Sequence, residues 1–264
     1  MDTIRQLAGS LLFYIGRAAD RAARVSHYLT VATLTLGEMR DSIRISWNDF
    51  YAADAVATPV LMPWEEAAVG RIAAPGSHVL VVGCGNGRDL IALANRGYIT
   101  VGVEPSSLAV SAARRQLQNR QVEASLIEGF FEDAQIPGTF DLVIFSYYCY
   151  AFMPMSARRV ETLKKAKGLL NPGGHVLVSY ASGTPRPSAA LISLARMAAR
   201  LWRSDWKLEP GDMVWDNRRS GRSYSFTHAF GPGELEAESA AAGLTPVFRE
   251  LAADGSVVLL LEHP

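Results

Sequence analysis

The sequence predicts an α/β fold: a doubly wound, mostly parallel seven-stranded sheet that ends in an antiparallel hairpin. Between positions 79 and 180, short apolar runs alternate with amphipathic helical segments, as in strands joined by crossover helices. A glycine-rich stretch at 83–87 separates the first apolar run from a helical segment, which indicates a strand–turn–helix unit. Near the end of the chain, two apolar runs are joined around Asp254-Gly255, a hairpin signal.

Residues 1–58 contain no proline and predict a helical N-terminal cap on a main domain that covers 59–264. Apolar residues follow a helical period at Ile4, Leu7, Leu11 and Ile15, and a heptad-like seam continues from Val25 through Leu29, Ala32, Leu36, Met39 and Ile43. We expect these helices to dock on the main domain. The alternatives are a dimer seam or an interfacial helix whose arginines face anionic lipid. The short apolar stretch and Asp20 among the arginines argue against membrane contact.

The main domain divides at its apolar runs and turn residues. A short helix over 64–72 precedes the sheet. Predicted strands cover 79–82, 99–103, 123–128, 140–146, 175–180, 244–251 and 256–262. Predicted helices follow the glycine turn and cover 107–118, 155–170 and 232–242. Residues 183–222 interrupt this alternation with an amphipathic helix and three of the five tryptophans, which predicts an insertion after the fifth strand that forms a wall over the site.

Composition and charge exclude several classes of function. The 26 basic and 26 acidic residues cancel, so no overall field draws the protein to nucleic acid. Two cysteines, Cys84 and Cys149, indicate neither a disulfide framework nor a metal site, and they fit a reducing cytoplasm. No window approaches ~18 uncharged apolar residues, so we expect no membrane span, and the N-terminus lacks the features of a signal peptide.

The glycine turn and the end of the second strand together indicate a nucleoside-containing cofactor. Glu104 closes that strand with a carboxylate that can accept hydrogen bonds from two ribose hydroxyls. A dinucleotide fingerprint requires a third glycine at position 88, where this chain has Arg88. The observed spacing is instead Gly83, Gly85 and Gly87.

That spacing resembles motif I of the class I S-adenosylmethionine-dependent methyltransferases. The resemblance covers 64–264 and rests on VVGCGNG, VEPS, FDLVIFS and NPGGHVLVSY. It implies a Rossmann-like methyltransferase fold and S-adenosylmethionine as the cofactor. The cofactor-binding residues that it implies are Gly83, Cys84, Gly85 and Gly87 at the methionine part, Glu104 and Pro105 at the ribose, Phe130 at the adenine, and Ser146 and Tyr147 near the sulfonium.

Two positions depart from the family pattern. The acidic residue that usually precedes the first glycine by two places is Val81 here, and Asp89 of the following helix is a candidate substitute. The Asp that often follows the glycine of the adenine loop is replaced by Phe130, which could stack on the base.

Candidate acceptor-side residues come from three parts of the chain. Trp47 and Tyr51 lie in an aromatic cluster of the cap, and Tyr147 and Tyr150 follow the fourth strand. A hydroxyl acceptor would require a general base, for which His228 after the insertion is better placed than His27 of the N-terminal helices; Tyr147 is a second candidate catalytic residue. We therefore expect methyl transfer to a small-molecule acceptor, with no metal.

Three other functions stay open at this stage. A nicotinamide-dependent, NAD(P)-binding oxidoreductase shares the sheet, but Arg88 and the terminal hairpin disfavour it. An aminopropyl transferase would need acidic residues for a polyamine, and the sequence has no dense acidic cluster. A non-catalytic binding protein on this fold is supported only by the departures at Val81 and Phe130.

Overall fold

A computed structural model of the chain describes residues 2–52, 58–72, 74–217 and 223–262. Its centre is a seven-stranded sheet in the order β3-β2-β1-β4-β5-β9-β8. The strands of this sheet are β1 (His78–Val82), β2 (Ile99–Glu104), β3 (Ser125–Glu128), β4 (Phe140–Phe145), β5 (Leu170–Ala181), β8 (Thr245–Leu251) and β9 (Ser256–Glu262). The first five strands pair in parallel, whereas β9 pairs antiparallel with both β5 and β8. The predicted sheet and hairpin are therefore confirmed.

The described helices connect and cover the strands. They are α1 (Asp2–Thr33), α2 (Leu36–Tyr51), α3 (Pro63–Ile72), α4 (Arg88–Ala94), α5 (Ser107–Arg120), α6 (Ser156–Gly168), α7 (Ala189–Leu201) and α8 (Glu234–Ala241). The Ser106 side chain caps α5 by accepting a hydrogen bond from the amide of Ala109. Within the described residues, no helix is long and apolar enough to cross a membrane.

Two hydrophobic cores lie on opposite faces of the sheet because the strands are apolar on both sides. Leu80, Val143 and Val178 face one core, and Val79, Ile144 and Leu177 face the other. The order in which the parallel strands follow one another along the chain reverses between β1 and β4, so the carboxyl ends of these two strands flank a crevice.

A third core joins the N-terminal helices to the insertion. Tyr28 of α1 and Met39 of α2 pack in one cluster with Ile192 of α7 and Phe226. The insertion also contains a two-stranded antiparallel sheet, β6 (Asp212–Asp216) with β7 (Tyr224–His228), which the sequence analysis did not predict. Strand β7 therefore lies beyond 222, the predicted end of the insertion. Residue 222 itself lies outside the described residues, and so do residues 53–57, just before the predicted boundary at 58–59.

The heptad-like seam does not run through one helix. Helix α1 ends at Thr33 and α2 begins at Leu36, with a capping box at Thr35: its side chain accepts from the Glu38 amide and the Glu38 carboxylate accepts from the Thr35 amide. The seam residues on both sides of this break, Ala32 and Met39, are buried in the third core.

Candidate functional site

A cavity of about 920 Å³ opens at the carboxyl ends of β1, β2 and β4. Its floor is the glycine turn after β1 together with Glu104 and Ser146 at the ends of the neighbouring strands. Its walls come from α2 of the cap, the loop after β3, the turn after β4 and the β6–β7 sheet. Both the cap and the insertion therefore line a crevice at the switch point of the sheet, where open α/β sheets bind ligands.

The glycine turn needs left-handed backbone at the position nearest to the cap. Gly85 has φ +53°, and a Cβ atom on it would overlap the hydroxyl of Tyr51. Only a glycine therefore allows Tyr51 of α2 to lie against the turn. Gly87 (φ +91°) starts α4, and its missing Cβ leaves room for Ala113 at 3.3 Å. Gly87 does not line the cavity, so the structure gives it a packing role rather than a predicted ligand contact.

Glu104 presents a buried carboxylate to the cavity. It accepts hydrogen bonds from the backbone amides of Gly85, at 3.0 Å, and Ser106, at 2.9 Å. Burial raises the pKa of Glu104 to about 7, and the two amide donors only partly oppose this shift. Its neighbour in the sheet register, Glu128 of β3, is exposed. The paired ends of β2 and β3 therefore direct one carboxylate to the cavity and the other to solvent.

Asp89, the candidate replacement for the missing acidic residue of β1, lies in the cavity lining. One carboxylate oxygen accepts a short hydrogen bond from the Ser146 hydroxyl. The other oxygen lies 2.6 Å from the Arg88 guanidinium, yet it lacks a hydrogen bond of good geometry. Arg88 also pairs with the buried Glu65 at 2.9 Å. Burial raises the pKa of Asp89, while Arg88 and Ser146 oppose the rise.

The side chain of Arg88 distinguishes this glycine turn from the turn of a dinucleotide-binding site. Its guanidinium is bonded to Glu65, Asp89 and the carbonyl oxygen of Val60. The position where a dinucleotide fold has its third glycine therefore carries a large, fully engaged side chain.

An aromatic wall from α2 closes the cavity from above. Trp47 and Tyr51, the candidate acceptor-side residues of the cap, line the cavity, and the ring of Trp47 lies 5.0 Å from the ring of Phe152. Burial and the nearby carboxylate of Glu104 raise the pKa of Tyr51, so its phenol stays protonated at neutral pH. Tyr51 is therefore a hydrogen-bond donor here rather than a base.

Phe130 lies in the cavity beneath the cap. The guanidinium of Arg40, on α2, is stacked 4.2 Å from the Phe130 ring and pairs with Asp133 at 2.5 Å. Sequence reasoning missed Arg40, because it occupies a polar position of the cap helix without any motif. Sequence reasoning also missed Ser46 and Phe50 of the cap and Phe226 of β7, all of which line the cavity.

A strained turn presents Tyr147 to the cavity. After β4, the chain makes a 3-10 turn over Ser146–Phe152 in which Tyr147 and Tyr148 adopt φ values of +37° and +63°. Two consecutive non-glycine residues with positive φ are costly, and such strain clusters at functional sites. Tyr148 is fixed outside the cavity by stacking on Trp64 and by a hydrogen bond to Ser256. Tyr147 is therefore held half-exposed at the cavity edge.

Two of the predicted acceptor-side residues lie elsewhere. Tyr150 is buried in the core, where its hydroxyl donates to Glu238 at 2.8 Å, and it does not line the cavity. His228 is buried as well, with one ring nitrogen 2.7 Å from Asp212 and the other 2.8 Å from Glu234. Because both nitrogens face carboxylates outside the cavity, the structure contradicts the prediction that His228 faces the acceptor.

His228 instead belongs to a buried ionic network that fixes the insertion to the main domain. Glu209, Asp212 and His228 lie close enough together to hold a cation. The guanidinium of Arg159 already supplies a positive charge there, 3.7 Å from Glu209 and 2.7 Å from Glu238. The network links β6 and β7 to α6 and α8.

The cap and the insertion are joined by polar contacts along α2. The hydroxyl of Ser42 accepts from the amide of Tyr224 at 2.6 Å, and Ser46 and Ser225 share a hydrogen bond of 2.5 Å. One helical turn further, Asn217 donates to Asp49 at 2.8 Å. These contacts place α2 along β7, so two segments far apart in sequence form one wall of the cavity.

Known proteins match part of this sequence and its fold. Residues 79–174 match the family described as a methyltransferase domain. Over 133 residues, the chain is 30% identical to a ubiquinone biosynthesis O-methyltransferase from Xanthomonas campestris pv. campestris. This alignment covers 50% of this chain and 54% of that relative. The chain spans about half or less of the length of the first curated relatives that it matches.

Solved structures show the same architecture. A SAM-dependent methyltransferase from Methanosarcina mazei aligns with a TM-score of 0.58 at 16% identity, over 76% of this chain and 97% of that chain. The glycopeptide N-methyltransferase MtfA, solved with (S)-adenosyl-L-methionine, aligns with a TM-score of 0.56 at 15% identity, over 80% of this chain and 100% of that chain.

The domain match, the strand order and the glycine turn define a Rossmann-like methyltransferase fold. The match over residues 79–174 confirms, for that part of the chain, the resemblance to the class I S-adenosylmethionine-dependent methyltransferases that was found in its sequence.

Proposed function

We propose that this protein is an S-adenosylmethionine-dependent methyltransferase that transfers a methyl group to a small, ring-bearing acceptor. The observation that carries the proposal is the buried carboxylate of Glu104, held by the Gly85 and Ser106 amides at the cavity floor. A carboxylate in this position suits the two hydroxyls of a ribose.

The lining residues fit S-adenosylmethionine chemically. Glu104 would hold the ribose, and Phe130 offers a ring face to the adenine. The Asp89 carboxylate oxygen without a well-formed hydrogen bond suits the cofactor's ammonium group. The sulfonium of the bound cofactor supplies an activated methyl group. The MtfA structure with this cofactor supports the assignment at the level of the fold.

The protein's own residues position the acceptor and exclude water. The described acceptor side is built from rings and aliphatic side chains, among them Trp47, Phe50, Phe152, Trp215 and Phe226. Such a wall favours an apolar, planar acceptor and lowers the local dielectric around it. Since the sulfonium donor is already activated, catalysis would rest mainly on placing the acceptor in line with the methyl group.

The experiment measures cofactor binding and turnover separately. Titration calorimetry should show binding of S-adenosylmethionine and S-adenosylhomocysteine but not of NAD. Formation of S-adenosylhomocysteine should then be followed with a panel of small phenols, amines and thiols. Binding of NAD with neither sulfur compound would overturn the proposal in favour of an oxidoreductase, and cofactor binding without turnover of any acceptor would favour a binding protein.

A matched pair of variants tests the acceptor wall. Trp47→Ala should raise the KM for the acceptor several-fold, while leaving the Kd of the cofactor nearly unchanged, because it removes ring contacts of the cavity wall. Trp202→Ala is the control, since Trp202 is exposed and does not line the cavity. Equal effects of both substitutions would contradict the assignment of the wall.

The free thiols of Cys84 and Cys149 support a cytoplasmic location for this activity.

A further inference from the structure

The part of α1 from Gly9 to Arg24 does not dock on the described remainder of the protein. Tyr28, Val31 and Ala32, near the end of the helix, are buried against α7 and the insertion. In contrast, every described side chain from Gly9 to Arg24 is exposed. This part of α1 therefore stands away from the cores that stabilise the protein.

The exposed part of α1 contains a short segment of large apolar side chains, Leu11 to Ile15. Five consecutive large apolar side chains between Leu11 and Ile15 are 55–68% exposed. Successive helical residues are offset by roughly 100°, so these five surround the whole helix rather than forming a narrow seam. A coiled-coil partner requires a narrow seam, whereas a helix that is apolar all round is normally surrounded by other apolar material.

Arginines follow this apolar segment on one side. Arg17, Arg21 and Arg24 recur at steps of four and three, so they form one stripe. In the described part of the chain, none of the three forms a salt bridge, and Arg17 lies over the ring of Phe13 at 5.8 Å. The arrangement places an apolar end beside a row of cations, as in helices that bind the membrane interface.

Helix α7, which packs against the docked end of α1, has an exposed apolar face of its own. It leaves Leu194, Met197 and Leu201 exposed, together with Trp202 just beyond its end. Residues 184–203 contain four arginines and no acidic residue, and α1 has four arginines against two aspartates. Since the chain as a whole has no net charge, the rest of the protein has a net charge of −6, and the positive charge is concentrated on these helices.

Contrary to the expectation from the sequence, and because these side chains are exposed, we propose that α1 and the exposed face of α7 bind the surface of an anionic lipid bilayer. The apolar segment from Leu11 to Ile15 enters the headgroup–acyl boundary, and the arginines pair with lipid phosphates. Charge complementarity selects anionic lipid as the occupant, rather than a second copy of the chain. A second copy would bring the same arginines together.

Co-sedimentation of the full chain with vesicles tests the proposal. The protein should bind vesicles that contain phosphatidylglycerol, bind much less to pure phosphatidylcholine, and be released by salt. Arg17→Glu combined with Arg21→Glu should weaken binding by at least roughly thirtyfold, at about 1 kcal/mol for each arginine lost. Arg114→Glu combined with Lys164→Glu is the control, because it changes the charge equally on other exposed helices, α5 and α6.

The apolar contribution is tested in the same assay. Leu11→Asp combined with Ile15→Asp should abolish vesicle binding, while Leu108→Asp, at another exposed leucine, should leave it unchanged. Circular dichroism and cofactor binding should be the same in all variants. Failure of the wild type to bind anionic vesicles would overturn the proposal. So would light scattering that shows a dimer disrupted by Leu11→Asp, since the apolar segment would then be a protein interface.

Discussion

Replacing Glu104 with glutamine tests the cofactor site and its electrostatics together. The carboxylate is buried, it accepts two backbone hydrogen bonds, and its pKa is raised to about 7. Hydrogen bonds from ribose hydroxyls to an ionised carboxylate are worth about 1.5–3 kcal/mol, so Glu104→Gln should weaken S-adenosylmethionine roughly ten- to a hundredfold. Titration calorimetry measures the change, with Glu128→Gln, its exposed neighbour in the register, as the control.

Because the pKa of Glu104 is raised, the affinity for the cofactor should increase with pH. The ionised form accepts the ribose hydrogen bonds more strongly, and Glu104 becomes mostly ionised only above pH 7. Affinity of the wild type should therefore rise roughly tenfold between pH 6 and pH 8, relative to Glu104→Gln. An identical pH profile in both proteins, or an unchanged affinity in the variant, would refute the ribose assignment.

Because of the same carboxyl group, the free energy of unfolding should fall with rising pH, whereas cofactor affinity rises. A carboxyl whose pKa rises on folding, here from 4.5 to about 7, binds its proton more tightly in the folded state. The free energy of unfolding should therefore fall as pH rises through this window, by about 3 kcal/mol relative to Glu104→Gln. Urea unfolding of both proteins at pH 4.5 and pH 8 gives this difference, and a constant difference would place Glu104 in a solvated environment.

Three further substitutions test the rest of the site. Gly85→Ala should cut cofactor affinity at least roughly tenfold in calorimetry, because its Cβ would overlap Tyr51 at φ +53°, whereas Gly70→Ala, in open space, should not. His228→Asn should lower the free energy of unfolding in urea by about 2–5 kcal/mol, because it leaves the carboxylates of Asp212 and Glu234 without their partner. Turnover should stay within a few-fold of the wild type. A large loss of turnover at full stability would instead give His228 a role in the reaction. Arg40→Ala should increase the rate of cofactor dissociation in stopped-flow measurements by about fivefold, because about 1 kcal/mol of cation–π contact with the adenine loop is lost; an unchanged rate would mean that α2 does not cover the cofactor.

The central sheet was predictable because its signals are local. Each apolar run between turn residues became a strand within a few positions, and the Asp254-Gly255 turn joined β8 to β9. The glycine turn and Glu104 were also recognisable, since their spacing along the chain corresponds to adjacent positions at the ends of β1 and β2. These features depend on short-range periodicity and on backbone conformation, which one sequence contains.

The acceptor side was less predictable because it depends on distant pairings. The β6–β7 sheet buries His228 by pairing it with Asp212, and nothing near His228 in the sequence indicates that partner. Tyr150 and Tyr147 are three positions apart, yet the left-handed residues of the turn send one ring into the core and leave the other at the cavity. A side chain's direction at a strained turn cannot be derived from a hydrophobic pattern.

The contacts of the cap determine how the cavity could open. Cap and insertion share the third core, and their polar contacts run along α2 and β7, so separating them would expose apolar surface from both. The contacts from α2 to the main domain include polar pairs, such as Arg40 with Asp133 and Asn48 with Ser106, beside the ring contact of Trp47. Breaking a polar contact that water can replace costs only about 0.5–1.5 kcal/mol. An opening that admits an acceptor would therefore move α2 and the insertion as one unit, with the ionic network around His228 as the contact that resists it.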